Sequence, residues 1–109
     1  MKDLIEAIKE IAKKNPEGFT ISIKDLSHVK RGWVVAMKET QNNFGDKGLI
    51  EVLEIAQKTS HIMGEWKEGK LFYYDAVWVI EEKEEAIQIG MENEQIAIYN
   101  IETATLIYL

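Results

Sequence analysis

Few side chains in this sequence are equipped for chemistry, and their spacing narrows what they can do. His28 stands in a basic run with Lys30 and Arg31, and His61 opens a strand-like segment. Neither sits in an H-x3-H or H-E-x-x-H spacing, so no metal and no other cofactor is expected. Cysteine is absent, which removes thiolates and disulfides. No G-x-S-x-G elbow occurs. The acid pairs Glu81–Glu82 and Glu84–Glu85 crowd a helix start, where they read as solvated charge rather than an acid/base pair. Asp75 differs, because it interrupts the aromatic run LFYYDAVWVI. A carboxylate in such surroundings needs a partner or keeps its proton. A satisfied polar contact or a solvent-facing position near the sheet edge is the ordinary outcome there, and a ligand-binding or catalytic carboxylate the functional one. No catalytic residue is assigned, and a binding protein rather than an enzyme is expected, with a small enzyme of unknown type as the remaining alternative.

The segment KETQNNFGDKGL, 38–49, joins a strand-like run to a helix-like run through two glycines, the kind of junction that cradles phosphate. It matches neither G-x-x-x-x-G-K-[ST] nor G-x-G-x-x-G. Asp46 at the expected N-cap would take the free N–H groups and repel an anion. Gln41, Asn42 and Asn43 remain a donor- and acceptor-rich loop that either lines a pocket or holds itself by turn bonds. Phe44 is expected to anchor the turn in the core.

These groups must be positioned by the surrounding elements. Leu4, Ile8, Ile11 and Ala12 mark one face of a helix over 3–14, with Asp3 and Glu6 as a capping box and Pro16 as its stop. Phe19, Ile21 and Ile23 alternate as a strand, and 25–32 is a loop. WVVAMKET, 33–40, reads as a second strand. Leu49, Val52, Leu53 and Ala56 mark a helix over 47–59. Strands follow at 61–66 and 71–80 around a turn at 67–70, then a helix over 81–93 ending on Asn93 as a left-handed cap. Strands at 95–100 and 104–109 close the chain as a hairpin. The order α-β-β-α-β-β-α-β-β predicts a single α+β domain over 1–109, its largely antiparallel sheet paired by local hairpins and covered by helices on one face.

The chain has 109 residues, 46% apolar and 29% charged, as befits one globular domain. No apolar run approaches the roughly 18 residues of a membrane span, and the mixed-charge N-terminus is no secretory signal; a cytoplasmic protein is expected. Net charge is −6, with 19 acids against 13 bases, and Arg31 is the single arginine. Direct nucleic-acid binding is therefore not expected, whereas a basic protein surface would be attracted.

Strand 71–80 poses a further question. Phe72, Tyr74, Ala76, Trp78 and Ile80 share one face, and Leu71, Tyr73, Asp75, Val77 and Val79 the other. Helices cover one face of such a sheet, so a second copy of the chain, another part of the fold or a ligand must cover the other. Gln41, Asn42, Asn43, Tyr73, Tyr74, Asp75 and Trp78 are the candidate binding residues. Tyr73, Tyr74 or Trp78 would stack on a nucleotide, with Lys30 or Arg31 meeting its phosphates.

KETQNNFGDKGL, GEWKEGKLFYYDAV and EEAIQIGMENEQIAIYNIE together resemble segments of small accessory proteins of phages and conjugative elements of gut bacteria, over roughly 18–109. The resemblance implies a counter-defence role. Such a protein would bind and inhibit a host immune protein such as a CRISPR effector, or, as a homo-oligomer, would sequester a cyclic-nucleotide signal.

Overall fold

A computed structural model describes residues 2–109. Three helices and six strands alternate as α1 (Lys2–Lys14), β1 (Phe19–Ser22), β2 (Trp33–Ala36), α2 (Gly45–Lys58), β3 (Ile62–Glu68), β4 (Leu71–Ile80), α3 (Lys83–Glu92), β5 (Ala97–Asn100) and β6 (Thr105–Tyr108). A short 3-10 helix, Lys38–Thr40, follows β2. The strands form one sheet in the order β1-β3-β4-β2-β5-β6, with every neighbouring pair antiparallel. This is the expected α+β fold in the expected element order.

The pairing is less local than expected. β3 and β4 form a hairpin that inserts between β1 and β2, so those two do not touch. Segment 23–32 makes the connection by crossing the sheet. Val29 donates its N–H to the Thr20 carbonyl at 2.9 Å, and a Cβ on Gly32 would lie 2.7 Å from Val79 Cγ1. Gly32, at φ +106, supplies both the close approach and the left-handed backbone.

All three helices lie on one face. Ile8 and Ala12 of α1, one turn apart, meet Leu49, Val52, Leu53 and Ala56 of α2 over Ile21, Met63 and Ala76 of the sheet. α3 closes a smaller core of Trp33, Val35, Ala86 and Ile98. Trp78 packs against both clusters.

Several local expectations are corrected. The 33–40 strand stops at Ala36, because Thr40 folds back and its hydroxyl donates to the Met37 carbonyl. Phe44, not Asp46, is the N-cap of α2 and makes no side-chain cap bond. Asp46 pairs instead with Lys9 of α1 at 3.2 Å. Phe44 is 52% exposed rather than anchored in the core, and its ring meets Tyr73 edge-on. Asn93 keeps φ −92, and the left-handed turn falls on Glu94. The Asn93 side chain closes the helix differently, donating to the Ile89 carbonyl. None of the described helices is long and apolar enough to cross a membrane.

Candidate functional site

The sheet face opposite the helices is concave, and its side chains explain the shape. Alternation and register put Thr20, Gly64 and Asp75 in one row across β1, β3 and β4. Val34 and Ala36 of β2 and Ala97 of β5 continue this floor of mostly small groups. Larger side chains rise around it: Trp66 on β3, Tyr99 on β5 and Leu106 on β6. Trp66, Tyr99 and Leu106 are 44, 41 and 49% exposed. A half-buried antiparallel sheet normally turns polar residues to water on this face; here the face is largely apolar.

Two adjoining clefts occupy the concavity. The larger, about 860 Å3, runs from Glu17, His28 and Val29 across the floor to Tyr99 and Leu106. The smaller, about 420 Å3, lies between Gln41 and Asn42 on one side and Glu94, Gln95 and Ile96 on the other. Trp66, Asp75 and Gln95 border both. At their junction the Trp66 and Tyr73 rings stack, with centroids 4.6 Å apart and planes 14° from parallel.

Asp75 stands at the centre. Burial raises its carboxyl to about 7, with no hydrogen bond or nearby cation to oppose the shift. Its Oδ1 lies 3.0 Å from where a Cβ on Gly64 would sit, so the missing side chain at 64 makes room for the carboxyl. Among the described residues, no lysine or arginine lines either cleft; besides tyrosines, the ionisable lining residues are Glu17, His28, Glu65, Asp75 and Glu94.

Of these, Glu65 turns its side chain to the helices. It pairs across the strands with Phe19 and Tyr74, and it is 3% exposed with both carboxylate oxygens unpartnered. Burial lifts it to about 7, opposed in part by Lys67. Burial, then Glu65 and Asp46, raises the neighbouring Tyr74 hydroxyl as well.

The residues singled out from sequence therefore divide. Gln41, Asn42, Tyr73, Tyr74 and Asp75 border the smaller cleft, although the Tyr74 ring belongs to the helix-side core. Asn43 lines neither cleft: its carbonyl accepts the Tyr74 N–H at 2.9 Å, and its buried Nδ2 has no partner. Trp78 lies on the opposite face, where it bridges the two cores. Lys30 and Arg31 are exposed and line neither cleft, although Lys30 directly follows Val29, which borders the larger one. His61 sits in the turn after α2 and does not join His28 and Asp75. Sequence reasoning missed Gly64, Trp66, Gln95, Ala97, Tyr99 and Leu106. Alternation puts Ala97 with Tyr99, and Gly64 with Trp66, but only the strand order brings the two pairs to one floor.

No protein-family model, curated protein or solved structure matches the chain. The geometry of the open face thus carries the chemistry by itself: a planar group can stack there, a cation can meet Asp75, and amides at 41, 42 and 95 can donate or accept.

Proposed function

We propose that the protein acts by occupancy, as a non-catalytic binding protein that seats its open sheet face on a basic surface of a partner protein. In the setting implied by the resemblance to mobile-element accessory proteins, that partner is a host immune protein such as a CRISPR effector. One observation carries this reading: an apolar, aromatic-rimmed concavity with carboxyls at its floor and rim and without a lysine or arginine in its lining. Exposed Trp and Tyr beside apolar groups are the usual makings of an interface centre. The net charge of −6 adds attraction toward the basic grooves that nucleic-acid-handling proteins carry.

A plasmid-interference assay tests it. The parent chain is expected to protect a targeted plasmid from a co-expressed CRISPR effector. Tyr99→Lys combined with Leu106→Lys, at two exposed positions on the open face, should abolish protection. Glu51→Lys on the exposed side of α2 should not. Equal protection by the parent and the double variant, or none by either across a panel of effectors, overturns the reading.

The stacked Trp66–Tyr73 pair supports a second reading, a sponge for a cyclic nucleotide whose base would lie against those rings. The lining opposes it, because phosphates would meet carboxyls there rather than cations. Calorimetry against cyclic nucleotides separates the two; saturable binding that Trp66→Ala removes would favour the sponge.

A further inference from the structure

We infer that the open-face cleft is an arginine pocket, in which Asp75 receives the guanidinium of a partner's arginine side chain beside the Trp66–Tyr73 stack. The inference rests on the partner-docking reading above and names the group that the face selects.

Three observations meet at this point. The Asp75 carboxyl lies in a cleft over Gly64, where its own Oδ1 takes the room that a side chain at 64 would need. It has no internal hydrogen bond and no internal cation, so its acceptor sites are unused among the described residues. The residue is only partly buried and its oxygens are not among the buried unpartnered atoms, so a donor from outside can reach them, and a charged donor gains most where the cleft is partly dry. Trp66 borders the same two clefts as Asp75 and is 44% exposed, with its ring stacked on Tyr73.

Guanidinium fits this arrangement better than ammonium. It is planar, so it can lie against an aromatic face while it meets the carboxyl. Its N–H edge meets both oxygens of a carboxylate at once. It is also more weakly hydrated than ammonium, which eases entry into a partly dry cleft. The ionisable groups around the pocket complement a cation. Glu17 and His28 border the larger cleft and Glu94 the smaller, while Glu65 lies on the adjacent strand with its side chain toward the helices. Among the described lining residues only His28, when protonated, would oppose the ligand; Lys30 and Arg31 follow Val29 outside the lining.

The probe is the capped tripeptide acetyl-Gly-Arg-Gly-amide, titrated into the intact chain and followed by NMR at the Asp75 carboxyl carbon and the Trp66 indole N–H. The citrulline tripeptide, planar but neutral, and the lysine tripeptide are run alongside. Saturable shifts at both reporters are expected with arginine, with weaker shifts for lysine and none for citrulline. Asp75→Asn, nearly isosteric, should weaken arginine binding about tenfold or more. Gly64→Ala should do the same without changing charge, by crowding Oδ1. Because burial holds the Asp75 carboxyl near 7, affinity should fall as pH drops from about 8 to about 6, well above the ordinary carboxylate range. His28→Gln should keep that dependence, and Asp75→Asn should remove it.

Equal binding of citrulline, or unchanged binding by Asp75→Asn, overturns the arginine pocket. So does a preference of the same reporters for guanosine over the peptide. The outcome is separable from that of the partner reading. Silence at Asp75, with protection still abolished by Tyr99→Lys and Leu106→Lys, removes the pocket and keeps the docking face. Arginine binding, with protection unaffected by those changes, keeps the pocket and removes the docking role.

Discussion

Glu65 is an ionisable group in surroundings that disfavour its charged form. Its two oxygens are buried without partners between Phe19 and Tyr74, and its carboxyl is raised from 4.5 to about 7. The consequence for stability has a definite sign. Below the unfolded value both states are protonated and nothing is lost. Between about 4.5 and 7 the unfolded chain releases its proton while the folded chain keeps it, so stability falls as pH rises. Above that window the loss is complete and amounts to roughly 2–3 kcal/mol. Asp75 adds a contribution of the same sign, since its carboxyl is also raised to about 7. Urea midpoints are therefore expected to be higher at pH 5 than at pH 8. Glu65→Gln should flatten part of that slope and raise stability at pH 8 by about 1–3 kcal/mol. An Asp75→Asn variant should remove the remainder. A midpoint that rises with pH across this window would show that Glu65 finds a cation in solution.

At the scale of elements, the 3-10 helix Lys38–Thr40 explains how β4 outlasts its neighbour. β2 ends at Ala36, and the chain then turns so that the buried Thr40 hydroxyl accepts the Ala76 N–H at 3.1 Å. A side chain thus replaces the strand partner that Ala76 would otherwise lack. Thr40→Val keeps the shape and leaves that N–H unpaired, so a loss of about 1–3 kcal/mol is expected by denaturant unfolding. Thr40→Ser keeps the hydroxyl and should recover most of it; equal losses would mean that the methyl packing matters rather than the bond. The same element shows where sequence reasoning reaches its limit. Strand 71–80 is legible because aromatic and β-branched residues fill it, and α1 because its apolar positions repeat with the helical period. The end of β2 is not legible, since it depends on Thr40 meeting Ala76 from far along the chain. The site divides for the same reason. Asp75 and Tyr73 stand out as a carboxyl and an aromatic on one phase of a strongly apolar strand. Trp78 is equally conspicuous, yet its phase faces the helices, and alternation alone does not say which face they cover. Gly64, Ala97 and Tyr99 become one floor only when β3–β4 inserts between β1 and β2, a choice made by packing across the sheet.

Across the whole molecule, one sheet serves two cores of unequal size. The larger holds Ile8, Ile21, Leu49, Leu53, Met63 and Ala76 beneath α1 and α2; the smaller holds Trp33, Val35, Ala86 and Ile98 beneath α3. β6 is an edge strand that brings the partly buried Ile107 to the smaller core, while Leu106 and Tyr108 lie on the other phase and are exposed. Local opening follows apolar burial. Amides of Ile98, Tyr99 and Ile107 are therefore expected to exchange with solvent through an opening of lower free energy than amides of Met63 and Ala76. Trp78 is the side chain that touches both clusters and ties the two halves into one cooperative unit. Trp78→Ala should destabilise the protein by about 3 kcal/mol and widen the difference in exchange between the halves. The open face spans both halves, since Trp66 and Asp75 lie over the larger core while Tyr99 and Leu106 extend from the smaller. A ligand that closes on both sides should slow exchange at Tyr99 more than at Met63, because the weaker half has more protection to gain. Uniform exchange in the free chain, unchanged in pattern by Trp78→Ala, would show that the two cores open as one.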